Sequence, residues 1–240
     1  VMTPAHDNRM NIGAKGLSGE GYKGHTFWDT EMFILPYFIY SAPEIAKSLE
    51  EYRFLSLPGA HKKAGGNGYE GAQFPWESAW IDDGEVTPVW GAADIVTGLP
   101  TKIWSGFIEQ HITADVAYGA WEYYMVTGDE DFMERCGYEL ILDTAKFWAS
   151  RLEEGEDGKL HINDVVGPDE YKEHVDNNAY TNYMAAHNLR LALRAMDEVE
   201  KRGGETYDRL HAQFNFAESR ARIQGVLDKM YLPQPDANGI

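Results

Sequence analysis

The sequence predicts an all-α protein, and three observations carry that expectation. Apolar residues recur at helical spacing in several long stretches, strand signals are few, and the helical stretches arrive in pairs separated by long irregular segments. Antiparallel helix pairs connected in this way build an α/α toroid or a bundle. No repeat of fixed period runs along the chain, which argues against a solenoid.

Taken in order, Asn11 to His25 holds five glycines (Gly13, Gly16, Gly19, Gly21 and Gly24), the mark of a loop that needs unusual backbone angles or a close approach. A helix is expected next, capped by Asp29 or Thr30 and carrying Met32, Phe33, Leu35 and Phe38. Pro43 opens another, with Ile45, Leu49, Tyr52 and Leu55 on its apolar face. Residues 66–108 lack sustained periodicity and read as a long loop region, which in a compact domain usually serves function. Helical spacing returns from Ile112 to Val126 and stops at Thr127-Gly128. Asp129 can cap the following helix, whose apolar face is Met133, Cys136, Leu140, Phe147, Trp148 and Leu152. Glu154 to Lys159 is a charged turn, and residues 163–177 are irregular around Gly167-Pro168. The short strand signals are His161-Ile162 and Asp164 to Val166. Two more helices are expected over about 179–201 and 205–230.

Composition sets the outer bounds. With 240 residues, 43% hydrophobic and 13% aromatic, the chain can bury a sizeable core. Its net charge of −18 lacks the clustered Lys and Arg that displace counterions from nucleic acid, and it equally disfavours an anionic membrane surface. No run is long and apolar enough for a membrane span. Cys136 is the sole cysteine, so no internal disulfide forms, and its apolar setting marks a small core residue. Both ends read as interior positions of a longer chain: no capped element opens residues 1–25, and Gly239-Ile240 looks like mid-loop.

Three constellations carry candidate chemistry. In Val165 to Tyr171 a Gly-Pro break is followed by Asp169 and Glu170, and crowding by Asp169 and the ring of Tyr171 is expected to raise the Glu170 pKa, as a general acid requires. On spacing alone, the same turn is also a helix N-terminus with acids on its dipole. In Gly24 to Glu31, Trp28 can stack on a sugar face while Asp29 accepts hydroxyl hydrogen bonds; equally, Asp29 can be a helix cap and Trp28 its staple. Trp76-Glu77, inside the long loop, presents the same pairing of an aromatic ring with a carboxylate. His111 and Asp115, one helical turn apart, hint at a metal pair but lack a third ligand, and no metal site is expected. The glycines near Asn11 follow no strand and make no phosphate cradle.

Four stretches together resemble glycoside hydrolase family 65, the family of maltose, kojibiose, nigerose and trehalose phosphorylases. They are NIGAKGLSGEGYKGHTFWDTEMFILPYF, YRFLSLPGAHKKAGGNGYEGAQFPWESA, HITADVAYGAWEYYMVTGD and VVGPDEYKEHVDNNAYTNYMA, in family order. The resemblance implies that residues 1–240 are part of one (α/α)6-barrel catalytic domain, a partial toroid of about three helix hairpins, cut at both ends. It implies Glu170 as general acid, Trp28 and Asp29 on the donor glucose, and Trp76 and Glu77 on the acceptor side. The implied reaction is inverting attack of inorganic phosphate on an α-glucoside, giving β-glucose 1-phosphate without metal or organic cofactor. Relatives further suggest a cytoplasmic homodimer.

Two departures qualify the match. The family's Lys-Gln pair and Gly-Ser phosphate segment have no counterpart here, so the 240 residues alone are expected to be inactive. Thr87 to Gly106 looks longer than in maltose phosphorylases, which weakens maltose as substrate. The rival readings are an acid-trehalase-like hydrolase of the same family and a non-catalytic sugar-binding barrel.

Overall fold

The computed structural model describes residues 7–16, 19, 21–235, 237 and 239. Its first helical stretch is a π-turn, Thr30–Ile34, running straight into α1, Leu35–Ser41. Asp29 does not cap it. That residue has helical dihedrals (φ −52°, ψ −31°) and its side chain makes no cap hydrogen bond, so the carboxylate is not spent on the helix. Helix α2, Pro43–Leu55, opens at Pro43 as expected and is followed at once by α3, Leu57–Gly66, which the periodicity did not announce.

The long loop region is less irregular than the sequence suggests. It contains a hairpin of β1, Trp90–Ala93, with β2, Pro100–Lys102, and the short α4, Ser105–Ile108. Helix α5, Ile112–Thr127, ends at Gly128 in the left-handed region (φ 66°), where a side chain would be strained. Asp129 is the expected cap: its Oδ1 accepts from the Phe132 backbone N–H at 3.0 Å, a contact worth about 1 kcal/mol. It starts α6, Glu130–Phe132, which a π-turn over Met133–Gly137 joins to α7, Tyr138–Arg151. Cys136 is buried there, and burial pushes its thiol up to about 12.

The charged turn is the tip of a small hairpin, β3 (Glu153–Glu154) with β4 (Leu160–His161). Asp164 to Val166 forms no strand; Val165 and Val166 make isolated bridges instead. Asn178 caps α8, Ala179–Arg202, by accepting from the Thr181 N–H. The single helix expected over 205–230 is two: α9, Gly204–Phe214, and α10, Phe216–Lys229, broken at Asn215 in a left-handed conformation (φ 44°). Asparagine tolerates that region better than most side chains.

The fold is mostly helical. Helices α1, α5 and α8 lie side by side; α2 covers α1 and α5, α7 covers α5 and α8, and α10 covers α7 and α8. Helix α5 sits at the centre and is buried nearly all round, by Ile112, Val116, Ala117 and Ala120 among others. Alanines on α8 (Ala185, Ala192 and Ala195) let α7 approach with Leu140, Ile141 and Trp148, all fully buried. No described helix is long and apolar enough to cross a membrane.

Candidate active site

The loops at one end of these helices are tied together by backbone bridges. Thr26 and Ser78 exchange hydrogen bonds (2.8 and 3.0 Å), which sets Phe27-Trp28-Asp29 beside Trp76-Glu77. Val166 N–H donates to the Ile108 carbonyl at 3.1 Å, and Val165 and Val175 exchange bonds of 2.9 and 2.8 Å. The turn bearing Glu170 therefore hangs from a clasp anchored beside α4. Gly167 leaves room at that clasp for the side chain of Asn178, the cap of α8, into which a Cβ would project.

From below, the buried Arg53 holds the first loop. Its Nε and Nη2 donate to the two Glu31 oxygens at 2.5 and 2.8 Å, and Nη2 also donates to the Phe27 carbonyl at 3.0 Å. Both charged side chains are fully excluded from solvent. A bidentate guanidinium–carboxylate pair fixes orientation as well as charge, and here it fixes the backbone immediately before Trp28.

These ties enclose a cavity of about 670 Å³. All five residues expected from the sequence line it: Trp28, Asp29, Trp76, Glu77 and Glu170. Its size suits a small sugar ligand. Trp28 meets His111 and Tyr180 edge to face (centroids 4.8 and 5.9 Å), and Trp76 meets Phe27 and His111 (5.7 and 6.0 Å), so both indoles are braced from behind.

Each carboxylate has its own surroundings. Glu77 lies 2.6 Å from the Nδ1 of His25, and its backbone N–H donates to Glu85 at 3.1 Å. Burial raises the pKa of Asp29. Glu170 is open to solvent on one side, yet partial enclosure at the cavity wall raises its pKa; the charge of His111 opposes this and that of Asp29 reinforces it. The neighbours expected to do so do not: Tyr171 is wholly exposed (101%), and Asp169 accepts the Tyr171 N–H instead.

The Nδ1 of His111 bonds the Asp115 Oδ2 at 2.7 Å and its Nε2 lies 3.2 Å from Glu109 Oε1, so both nitrogens are engaged within the protein. Among the described residues no cluster suited to a metal ion is present.

Sequence reading missed His25 and Val86; Thr87, Pro88 and Ile103 fall in the segment it set apart as long, Thr87 to Gly106, and with Val86 they form the cavity wall at the base of the β1–β2 hairpin. His25 stands in the same loop as Trp28, but its partner Glu77 is 52 residues away, a pairing that spacing does not reveal.

The whole chain, residues 1–240, matches the model of the glycosyl hydrolase family 65 central catalytic domain. It is 54% identical over 236 residues to a kojibiose phosphorylase of Halothermothrix orenii, covering 97% of this chain and 30% of that protein. It is 48% identical over 178 residues to a kojibiose hydrolase of Flavobacterium johnsoniae, covering 74% of this chain and 24% of the relative. A solved human-microbiome protein, named as a candidate kojibiose phosphorylase, superposes with a TM-score of 0.78 at 29% identity over 95% of this chain and 31% of its own. The chain thus spans about 30% of the length of the first of these relatives, and it belongs to glycoside hydrolase family 65.

Proposed function

We propose that the whole protein is an inverting phosphorylase of α-glucosides, with Glu170 as general acid. The carrying observation is the convergence, in one cavity, of a carboxyl biased toward its protonated form with two braced indoles and Asp29. An inverting hydrolase needs an acid for the leaving oxygen and a base to activate water. Phosphate is already an anionic nucleophile, so a phosphorylase needs only the acid. Glu170 gives its proton to the glycosidic oxygen as phosphate attacks the opposite face of the anomeric carbon. The C–O bond to the acceptor breaks, and β-glucose 1-phosphate and the free acceptor leave. The step as written requires no metal or organic cofactor.

Trp28 and Asp29 bind the donor glucose, and Trp76 and Glu77 face the acceptor. On this reading the chain is part of one (α/α)6-barrel domain. The inner row α1, α5 and α8, covered by α2, α7 and α10, supports that arrangement. So do Tyr37, Met125 and Tyr183, large apolar or aromatic residues left exposed on α1, α5 and α8.

The test is product analysis on the full-length protein. Incubated with an α-glucosyl disaccharide such as kojibiose, it is expected to release free sugar and glucose 1-phosphate together, and only when inorganic phosphate is present. Release of two sugars at equal rate without phosphate would favour a hydrolase, the second reading, which the similarity to the Flavobacterium kojibiose hydrolase supports.

Asp29→Ala offers a separate check on the donor subsite. Hydroxyl contacts that tighten in an oxocarbenium-like state are lost, so kcat and binding are expected to fall together. The melting temperature is expected to hold, since Asp29 makes no cap bond whose loss would cost stability. Unchanged kinetics with a lowered melting point would remove Asp29 from the site.

A further inference from the structure

Behind the cavity lies a buried group of polar side chains that the proposed reaction does not use. His111 is fully buried at the start of α5. Its Nδ1 is bonded to Asp115 Oδ2 at 2.7 Å, and the other Asp115 oxygen accepts from the Tyr180 hydroxyl at 2.9 Å. Its Nε2 faces the equally buried Glu109 at 3.2 Å. The imidazole thus sits between two carboxylates, with the rings of Trp28, Trp76 and Tyr180 around it at 4.8, 6.0 and 5.3 Å.

This group is linked to Glu170 by the backbone. Glu109 is bridged in parallel to Val166, the residue from which the Gly-Pro-Asp-Glu turn departs. We propose that His111, fixed between Asp115 and Glu109 behind the two tryptophans, is a positioning residue that governs how tightly Glu170 holds its proton. The inference rests on the reading of Glu170 as the general acid.

Charge supports what the geometry suggests. Burial opposes a proton on His111, but the bonds to Asp115 and Glu109 outweigh it and raise the imidazole to about 9. Burial pushes Glu109 up to about 7, against the pull of His111 and with help from Glu170. Enclosure raises the proton affinity of Glu170, the imidazolium of His111 lowers it, and Asp29 raises it again. Farther back, Asp115 acts on Glu31, which Arg53 holds. The outcome is an acid poised between being too weak to give its proton and too strong to keep it at working pH.

The test is the pH profile of kcat/KM in the full-length enzyme, measured with a disaccharide and with glucosyl fluoride, whose leaving group needs little acid assistance. His111→Gln removes the cation, so Glu170 should stay protonated to higher pH. The alkaline limb of the disaccharide profile is expected to move up by about one unit, with the glucosyl fluoride profile unmoved. Asp115→Asn keeps the ring but weakens its proton, and is expected to shift the limb the same way by less; it carries the test if His111→Gln fails to fold. A limb that stays in place, or that moves equally for both substrates, would overturn the inference. Glu170→Gln, run alongside, separates the two ideas. If that variant keeps full disaccharide turnover the acid assignment itself is wrong; if it is inactive and the His111 and Asp115 limbs do not move, only the role of His111 fails.

Discussion

Glu170→Gln is expected to lower phosphorolysis of an unactivated disaccharide by ~10²–10⁴-fold, the range over which a positioned general acid contributes. The amide has nearly the shape of the acid and leaves the cavity wall in place, but it has no proton to give to the glycosidic oxygen. Glucosyl fluoride should lose far less, because fluoride departs without full protonation. The wild-type carboxyl is biased upward by enclosure and by Asp29, against the charge of His111. The disaccharide rate should accordingly fall on the alkaline side, and the variant should lose that dependence with its activity. Equal losses on both substrates would mean that Glu170 holds something in place and transfers no proton.

Arg53→Ala is expected to be the most damaging single change to stability, by about 3–5 kcal/mol, since it strands a buried carboxylate. Glu31 would lose both guanidinium bonds, and the Phe27 carbonyl would lose its donor. Glu50 lies in the same buried patch, and among the described residues neither of its oxygens finds a hydrogen-bond partner. Burial pushes its pKa well up, the charge of Glu31 adds to this, and that of Arg53 opposes it. A carboxyl that holds its proton more tightly folded than unfolded stabilises the fold at low pH and loses that contribution as pH rises through the folded value. With Arg53 gone, Glu31 joins Glu50 in needing a proton to stay buried, so the loss should be larger at pH 8 than at pH 5. Denaturant unfolding at the two values measures this. A double replacement of Arg53 and Glu31 by leucine, which leaves no partner stranded, should recover much of the loss. An equal loss at both pH values would show that Glu31 remains solvated without Arg53.

The helical character was legible because α2, α5 and α7 each carry an apolar face at regular spacing and a readable end: Pro43, Gly128 and Asp129. Asp29 misled, because a carboxylate before a helix looks the same whether it caps the helix or points into a cavity. The break at Asn215 was hidden because neither a glycine nor a proline marks it. Helix α3 escaped because its Gly59, Gly65 and Gly66 read as loop. At the site, the motifs named the side chains that reach the cavity, but not what stands behind them. Side-chain contacts such as His25–Glu77 and Arg53–Glu31 join residues far apart in sequence, and only folding brings them together. The upward bias on Glu170 was anticipated, but it was attributed to its sequence neighbours, whereas it comes first from enclosure at the cavity wall and then from the charge of Asp29.

The β1–β2 hairpin has an evolutionary consequence. Its base supplies Val86, Thr87, Pro88 and Ile103 to the cavity. Its tip, with Ile95, Val96 and Leu99, projects into solvent. The tip is held by bonds of its own: Asp94 N–H to the Leu99 carbonyl, Gly98 N–H to the Asp94 carbonyl, and the Asp94 carboxylate to Thr97. The residues proposed to bind glucose and protonate the bond are instead braced by Arg53, His111 and the cap of α8. Mutational drift in the hairpin can therefore reshape the wall proposed to meet the second sugar while the proposed proton donor keeps its bearing. An architecture divided in this way lets descendants of one ancestor part company over acceptors and still share a reaction.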